Sequence, residues 1–200
     1  MTTNLYLARH GQTQWNKIQR FQGQLDSELT EIGKQQAKNI AEQLTDQKID
    51  LIISSTLGRA LTSAKICQQQ LNVPVQSTDD LIERDLGHWQ GQQVNDLKAN
   101  KAYHEILHQF TELRPMNGES ALGCGERIAQ SLTSIAKNQQ NKNLLIIFHG
   151  EALRCFLAKL GHNSNENAYE LFDNGCMFHL SYQHENERFQ LLSQRSSKRN

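Results

Sequence analysis

Three short apolar runs constrain this sequence most. They lie far apart in the chain, and each is closed by polar or cationic residues. Asn4 to Ala8 runs into Arg9-His10-Gly11, Leu51-Ile52-Ile53 into Ser54-Ser55, and Leu144 to Phe148 into His149-Gly150. Short continuous apolar runs bounded in this way read as strands buried on both faces. Helical stripes alternate with them. Thr30 predicts an N-cap, followed by Ala37, Ile40, Ala41 and Leu44 at helical spacing. Leu57, Ala60, Leu61 and Ala64 follow the second run, and Leu153, Phe156, Leu157 and Leu160 follow the third. Ser120 opens a stripe of Ile128, Leu132 and Ile135, with Gly123 and Gly125 weakening its first turns. Val75 begins a short extended segment, and Cys176 to Tyr182 with Arg188 to Leu192 predict a closing pair of strands. Strands alternating with helices imply an α/β fold with a mostly parallel sheet. Ligands in such folds gather beyond the carboxyl ends of the strands, so the polar run ends are predicted to meet along one edge.

The rest of the composition sets bounds. Two hundred residues suit one domain, 1–200, with enough chain to bury a core. The stretch from about 84 to 118 has mixed polarity, three helical hints, and Gly87, Gly91 and Gly118 as punctuation; it reads as a cap inserted over the site. Gln194 to Asn200, with Arg195, Lys198 and Arg199, reads as a polar basic tail. The formal net charge is zero, which argues against a nucleic-acid or anionic-membrane footprint. No run approaches the roughly 20 apolar residues of a membrane span, and Leu5 to Ala8 is too short for a signal peptide. Cys67, Cys124, Cys155 and Cys176 form no C-x-x-C pair and read as reduced core thiols. A cytoplasmic protein is expected; its oligomeric state is not legible.

The strand ends carry the chemistry of phosphate esters. A phosphate monoester is a dianion near neutral pH, so attack on it needs charge cancellation and a nucleophile. Arginine supplies a rigid fork for two phosphate oxygens. A neutral histidine nitrogen supplies the nucleophile. A second histidine, when protonated, stabilises the equatorial oxygens as the transition state loosens. A carboxylic acid protonates the leaving oxygen and then activates water. Arg9, His10, Arg59, His149 and Glu83 are the candidates for these tasks. By spacing alone each also fits a structural or surface role.

The neighbours of these residues resemble a known family. Leu7-Ala8-Arg9-His10-Gly11-Gln12-Thr13 with Trp15-Asn16 is similar to the signature of the histidine phosphatase superfamily, also called the phosphoglycerate mutase-like family. Phe21-Gln22-Gly23, Leu29 to Gly33, Ser54 to Ala60, Leu81 to Arg84, Gly118-Glu119-Ser120 and His149-Gly150 resemble its further motifs in order. The resemblance spans about residues 4 to 182. It implies a three-layer α/β/α sandwich, with His10 as phosphohistidine nucleophile and Glu83 as proton donor. Arg9, Arg59 and His149 would hold the phosphoryl group with Asn16 assisting, and the main chain at Gln22-Gly23 and Gly150 would line the pocket. It implies no metal and no cofactor. Three residues depart from the pattern: Thr56 stands where proline is common, which should change the helix entry little, and the other two lie beside His149 and Gly150. Phe148 replaces a small hydroxyl residue, removing a hydrogen bond behind His149, and Glu151 stands where a small or apolar residue is commoner. A carboxylate there would oppose a substrate phosphate unless it points away or binds a substrate hydroxyl or amine, and Glu151 is expected to tune substrate choice.

Hydrolysis is expected over mutase chemistry. A mutase shields its phosphohistidine and holds a carboxylate with extra cations, whereas the short cap carries only Lys98, Lys101 and Arg114 beyond Arg84. The resemblance is greatest to the probable-phosphatase branch labelled phosphoglycerate mutase B, with the α-ribazole phosphatase branch of cobalamin synthesis as a second possibility and a bisphosphatase as a third. The expected partner is a small-molecule phosphate ester. Two other classes remain open on sequence: a non-catalytic phospho-ligand-binding protein, and a metal hydrolase using His104 and His108 at i, i+4 spacing, which lack a third ligand.

Overall fold

The computed structural model describes residues 1–162 and 166–195. Six strands form one sheet: β1 (Thr2–Arg9), β2 (Leu51–Ser55), β3 (Val75–Thr78), β4 (Asn143–Phe148), β5 (Met177–Gln183) and β6 (Arg188–Arg195). Their spatial order is β3-β2-β4-β1-β5-β6. The first four in that order run parallel, and β5 and β6 pair antiparallel at the far edge. The helices are α1 (Gln14–Lys17), α2 (Glu31–Glu42), α3 (Gly58–Leu71), α4 (Val94–Leu97), α5 (Tyr103–His108), α6 (Ala121–Asn138), α7 (Gly150–Lys159) and α8 (Ala168–Leu171).

Strand pleating sorts the core into two halves. Leu5 and Leu7 of β1 join Leu144, Ile146 and Phe148 of β4 against α6 and α7. Tyr6 and Ala8 join Leu145 and Ile147 against Ile40, Ala41, Ala60 and Ala64 of α2 and α3. The result is the three-layer α/β/α sandwich expected from the resemblance. Each fully buried Leu, Ile or Phe contributes about 1.5–3 kcal/mol relative to exposure. A third cluster of Phe21, Leu86, Trp89, Tyr103, Ile106 and Leu107 forms the inside of the 84–118 segment. All four cysteines are buried free thiols. Gln194 and Arg195, read from sequence as tail, instead belong to β6, where they pair with Phe178 and Met177. Lys198 and Arg199 lie outside the described residues. No helix among the described residues is long and apolar enough to cross a membrane.

The helix starts divide into two kinds. Thr30 and Ser120 cap α2 and α6 locally, each hydroxyl accepting the N–H three residues on, from Gly33 and Gly123 respectively. Neither Leu57 before α3 nor His149 before α7 supplies a side-chain cap. Those two ends are met by carboxylates from elsewhere in the chain: Asp26 accepts the Arg59 N–H at 3.4 Å, and Glu83 accepts the Glu151 and Ala152 N–H groups at 3.2 and 2.8 Å.

Candidate active site

Register brings the strand ends together. Arg9 of β1 lies opposite Phe148 of β4, so the next residues, His10 and His149, emerge side by side; their ring centroids are 5.3 Å apart. Ser54 of β2 pairs with Ile147, which sets Ser55 beside His149. His149 Nε2 lies 2.8 Å from the Ser55 hydroxyl, and that hydroxyl also accepts the Leu57 N–H at 3.3 Å. The hydrogen bond expected to be lost at Phe148 is thus made from the neighbouring strand, while Phe148 itself is core.

His10 is held in one tautomer. Its Nδ1 lies 2.7 Å from the Gly11 carbonyl, which can only accept, so Nδ1 carries the proton. Nε2 therefore presents a lone pair, to which Arg59 Nε donates at 3.2 Å. The backbone turn that aims His10 requires glycine. A Cβ on Gly11 would overlap the Gly33 carbonyl, and one on Gly33 would overlap the Gln12 carbonyl.

The two arginines are anchored by main-chain oxygens. Arg9 Nη1 donates to the carbonyls of Phe172 and Ala168. Arg59 donates to Leu25 O at 2.7 Å, Gly23 O at 2.7 Å and Asp26 Oδ1 at 3.0 Å. Gly23 adopts a positive φ, and its carbonyl is aimed at Arg59 by a turn that Gln90 supports through the Gln24 N–H. Asn16 accepts from Thr13 N, Thr13 Oγ1 and Asn174 Nδ2 at its Oδ1, leaving its own amide hydrogens for a ligand. Glu83 Oε1 takes the Arg84 and Ala152 N–H groups, both at 2.8 Å, and among the described residues Oε2 takes only the more distant Glu151 N–H.

Arg9, His10, Asn16, Gln22, Gly23, Arg59, Glu83, Gly150 and Glu151 line one small chamber, together with Leu86 and Ala168. Of the residues singled out from sequence, His149 alone is not part of that lining; it is fully buried beside His10. Glu151 lines the chamber, but its carboxylate is already bonded to Arg84, Arg154 and the Ala168 N–H. Of the two alternatives given above, this is the carboxylate turned away, not one bound to a substrate hydroxyl or amine. The cause is the setting of α7, which is buried from Gly150 through Ala158. His104 and His108 stack on each other, and His108 Nε2 meets Asn167 Nδ2 at 3.2 Å. No group of three or more His, Cys, Asp or Glu among the described residues is placed to hold a metal.

Burial and cations set the protonation states. Desolvation, then Arg59 and Arg9, hold the His10 imidazole well below its ordinary range. Desolvation, Arg59, His10 and Arg9 do the same to His149. Burial pushes the Glu83 carboxyl up; Arg59 opposes that shift and the nearby Glu151 carboxylate adds to it. The chamber therefore places a neutral imidazole beside a carboxyl biased toward its protonated form.

The family model described as histidine phosphatase superfamily (branch 1) matches residues 5–195. The chain belongs to this superfamily. It is 29% identical over 186 residues to the uncharacterized phosphatase PhoE of Bacillus subtilis (strain 168), covering 93% of this chain and 92% of that one. It is 34% identical over 158 residues to the probable phosphoglycerate mutase GpmB of Salmonella arizonae, covering 78% and 74%. Among solved structures, mycobacterial glucosyl-3-phosphoglycerate phosphatase in complex with VO3 superimposes with a TM-score of 0.84 at 28% identity, covering 96% of this chain and 99% of that one. The protein is an enzyme of the phosphatase class.

Several residues that build this histidine phosphatase site carried no sequence signal of their own. Asp26, Gln90, Asn174 and Arg154 read as ordinary polar positions. Asp26, Gln90 and Asn174 are tied to the site through partners distant in sequence, as with Asn174 Nδ2 donating to the His10 carbonyl at 3.2 Å. Ser55 stood inside a quoted motif, but its bond to His149 depends on strand register rather than on sequence neighbourhood.

Proposed function

We propose that this enzyme hydrolyses a small-molecule phosphate monoester through a phosphohistidine on His10, without a metal. The observation that carries the reading is the tautomer of His10: Nδ1–H is spent on the Gly11 carbonyl, and the Nε2 lone pair points to Arg59 Nε. In the first step Nε2 attacks phosphorus and the ester P–O bond breaks. The leaving oxygen takes its proton from Glu83. Arg9, Arg59, His149 and Asn16 hold the phosphoryl oxygens, and the main chain at Gln22, Gly23 and Gly150 completes the wall. Burial first and then the neighbouring cations depress His149; a bound dianion offsets the cationic part and so favours its charged form. In the second step the Glu83 carboxylate takes a proton from water, which attacks phosphorus and breaks the N–P bond. Phosphate leaves and Glu83 is again protonated.

Hydrolysis rather than phosphoryl shuttling is supported by the cations of the 84–118 segment. Arg84 is fully buried against Glu151, while Lys101 and Arg114 are exposed and outside the chamber lining. Lys98 lines only the outer depression that shares Arg9 and Asn16 with the chamber. The test is an assay with para-nitrophenyl phosphate and a panel of alkyl monoesters in EDTA, for wild type beside His10→Ala. Turnover in EDTA, with an acid-labile phosphoenzyme that His10→Ala lacks, is expected. Loss of turnover in EDTA would favour a metal hydrolase, and a folded wild type inactive throughout would favour a binding protein. Interconversion of phosphoglycerates faster than their hydrolysis would favour the mutase. Selective turnover of α-ribazole phosphate would identify that branch.

A further inference from the structure

We infer that Glu151 is a positioning residue for the general acid, holding the Glu83 carboxyl through a closed ring of bonds rather than touching substrate. The inference rests on the hydrolytic reading above, in which Glu83 protonates the leaving oxygen. The Glu151 N–H donates to Glu83 Oε2 at 3.2 Å. Its side-chain Oε2 accepts from Arg84 Nη1 at 3.1 Å, and the Arg84 N–H returns to Glu83 Oε1 at 2.8 Å. Three residues thus close on themselves around the carboxyl that moves the proton.

The remaining capacity of the Glu151 carboxylate is also used. Arg154 donates to it from Nε and Nη2, each at 3.1 Å, and the Ala168 N–H reaches Oε1 at 3.2 Å. A carboxylate offers about four acceptor sites, and four donors occupy this one, so none is left for a substrate hydroxyl or amine. The side chain is 3% exposed. Arg84 reaches outward as well, donating to the carbonyls of Ile106 in α5 and Glu119 before α6. The acid's loop is therefore tied at once to the cap segment and to the first turn of α7. Buried ion pairs add little net stability compared with apolar packing, so three buried charges beside a catalytic acid are better explained by the geometry they impose. The oxygen of Glu83 with fewer donors is Oε2, whose sole protein donor among the described residues is Glu151 N–H. That oxygen is the natural seat of the transferable proton.

Leaving-group dependence tests this. Para-nitrophenolate departs without help from an acid, whereas an alkoxide requires a proton. Glu83→Gln is the reference: its rate of phosphoenzyme formation in a single turnover should fall about 100-fold or more on an alkyl monoester and far less on para-nitrophenyl phosphate, whereas dephosphorylation, in which Glu83 is the base, slows alike for both. If Glu83→Gln shows no such split, the general-acid reading itself fails and the inference falls with it. Given the split, Glu151→Gln should reproduce it in smaller measure, with phosphoenzyme formation slowed about tenfold on the alkyl ester, within about threefold of wild type on para-nitrophenyl phosphate, and the substrate Kd little changed. Equal losses of that single-turnover rate on both substrates would mean a merely structural role, and a raised Kd with the saturating rate retained would mean a substrate contact; either overturns the inference. Should Glu151→Gln not fold, Arg84→Met and Arg154→Met each leave Glu151 with one arginine. Arg84→Met opens the ring and should show the split. Arg154→Met leaves the ring closed and should not. The reverse pattern, or the same ratio in both, would also overturn the proposal.

Discussion

Consider replacing Glu83 with glutamine and following kcat/KM against pH. The proposed first step needs His10 neutral and Glu83 protonated at the same time. At their ordinary values, 6.5 and 4.5, these requirements conflict. Midway between those values each group is in its required form about 9% of the time, so the productive pair amounts to about 1% of the enzyme. The site moves both groups in the needed direction: burial, Arg59 and Arg9 lower His10, and burial raises Glu83 against the pull of Arg59. If the two values merely meet, the productive fraction reaches about 25%, a gain of about 30-fold or about 2 kcal/mol. The signs then fix the profile. A depressed His10 keeps the nucleophile neutral to more acidic pH, so the acid limb lies below the usual histidine range. An elevated Glu83 keeps the acid protonated to higher pH, so the alkaline limb lies above the usual carboxylate range. With an alkyl monoester, wild type should show both limbs, and Glu83→Gln should lose the alkaline one along with about 100-fold of its rate. The ester's own ionisation near pH 6 is common to both proteins, so their ratio isolates Glu83. An alkaline limb identical in wild type and Glu83→Gln, from folded enzymes, would refute Glu83 as the acid.

Two further outcomes follow from contacts around the nucleophile. Gly33→Ala inserts a methyl group against the Gln12 carbonyl and should destabilise the fold by about 1–3 kcal/mol, read as a lower urea midpoint; an unchanged midpoint would mean that the loop after β1 shifts freely. Asp26→Ala removes both an acceptor of the Arg59 guanidinium and the external cap of α3. Its kcat/KM should fall about tenfold, or about 1.4 kcal/mol, with cooperative unfolding retained; full activity would show that the Gly23 and Leu25 carbonyls suffice to aim Arg59.

Much of the architecture is legible in local patterns. Continuous apolar runs at β1, β2 and β4 specify strands buried on both faces, and the Thr30 and Ser120 hydroxyls cap the helices they precede. The polar run ends place Arg9, His10, Arg59 and His149 at one sheet edge, because parallel strands align their carboxyl ends. The fate of Glu151 is not legible in this way. A glutamate in the first turn of a helix ordinarily faces water. It is buried because α7 is covered along nearly its whole length, and that burial is tolerated because Arg84 and Arg154 converge on it. Arg154 is three residues away, but Arg84 and Glu83 are 67 and 68 residues away. The same holds for Asp26, which reaches Arg59 across 33 residues. Sequence by itself determined which elements form, and the order of the strand-end residues from which the chemistry could be read. Tertiary structure alone decided which charge meets which, because ion pairs and hydrogen bonds act over a few ångströms in space whatever their separation along the chain.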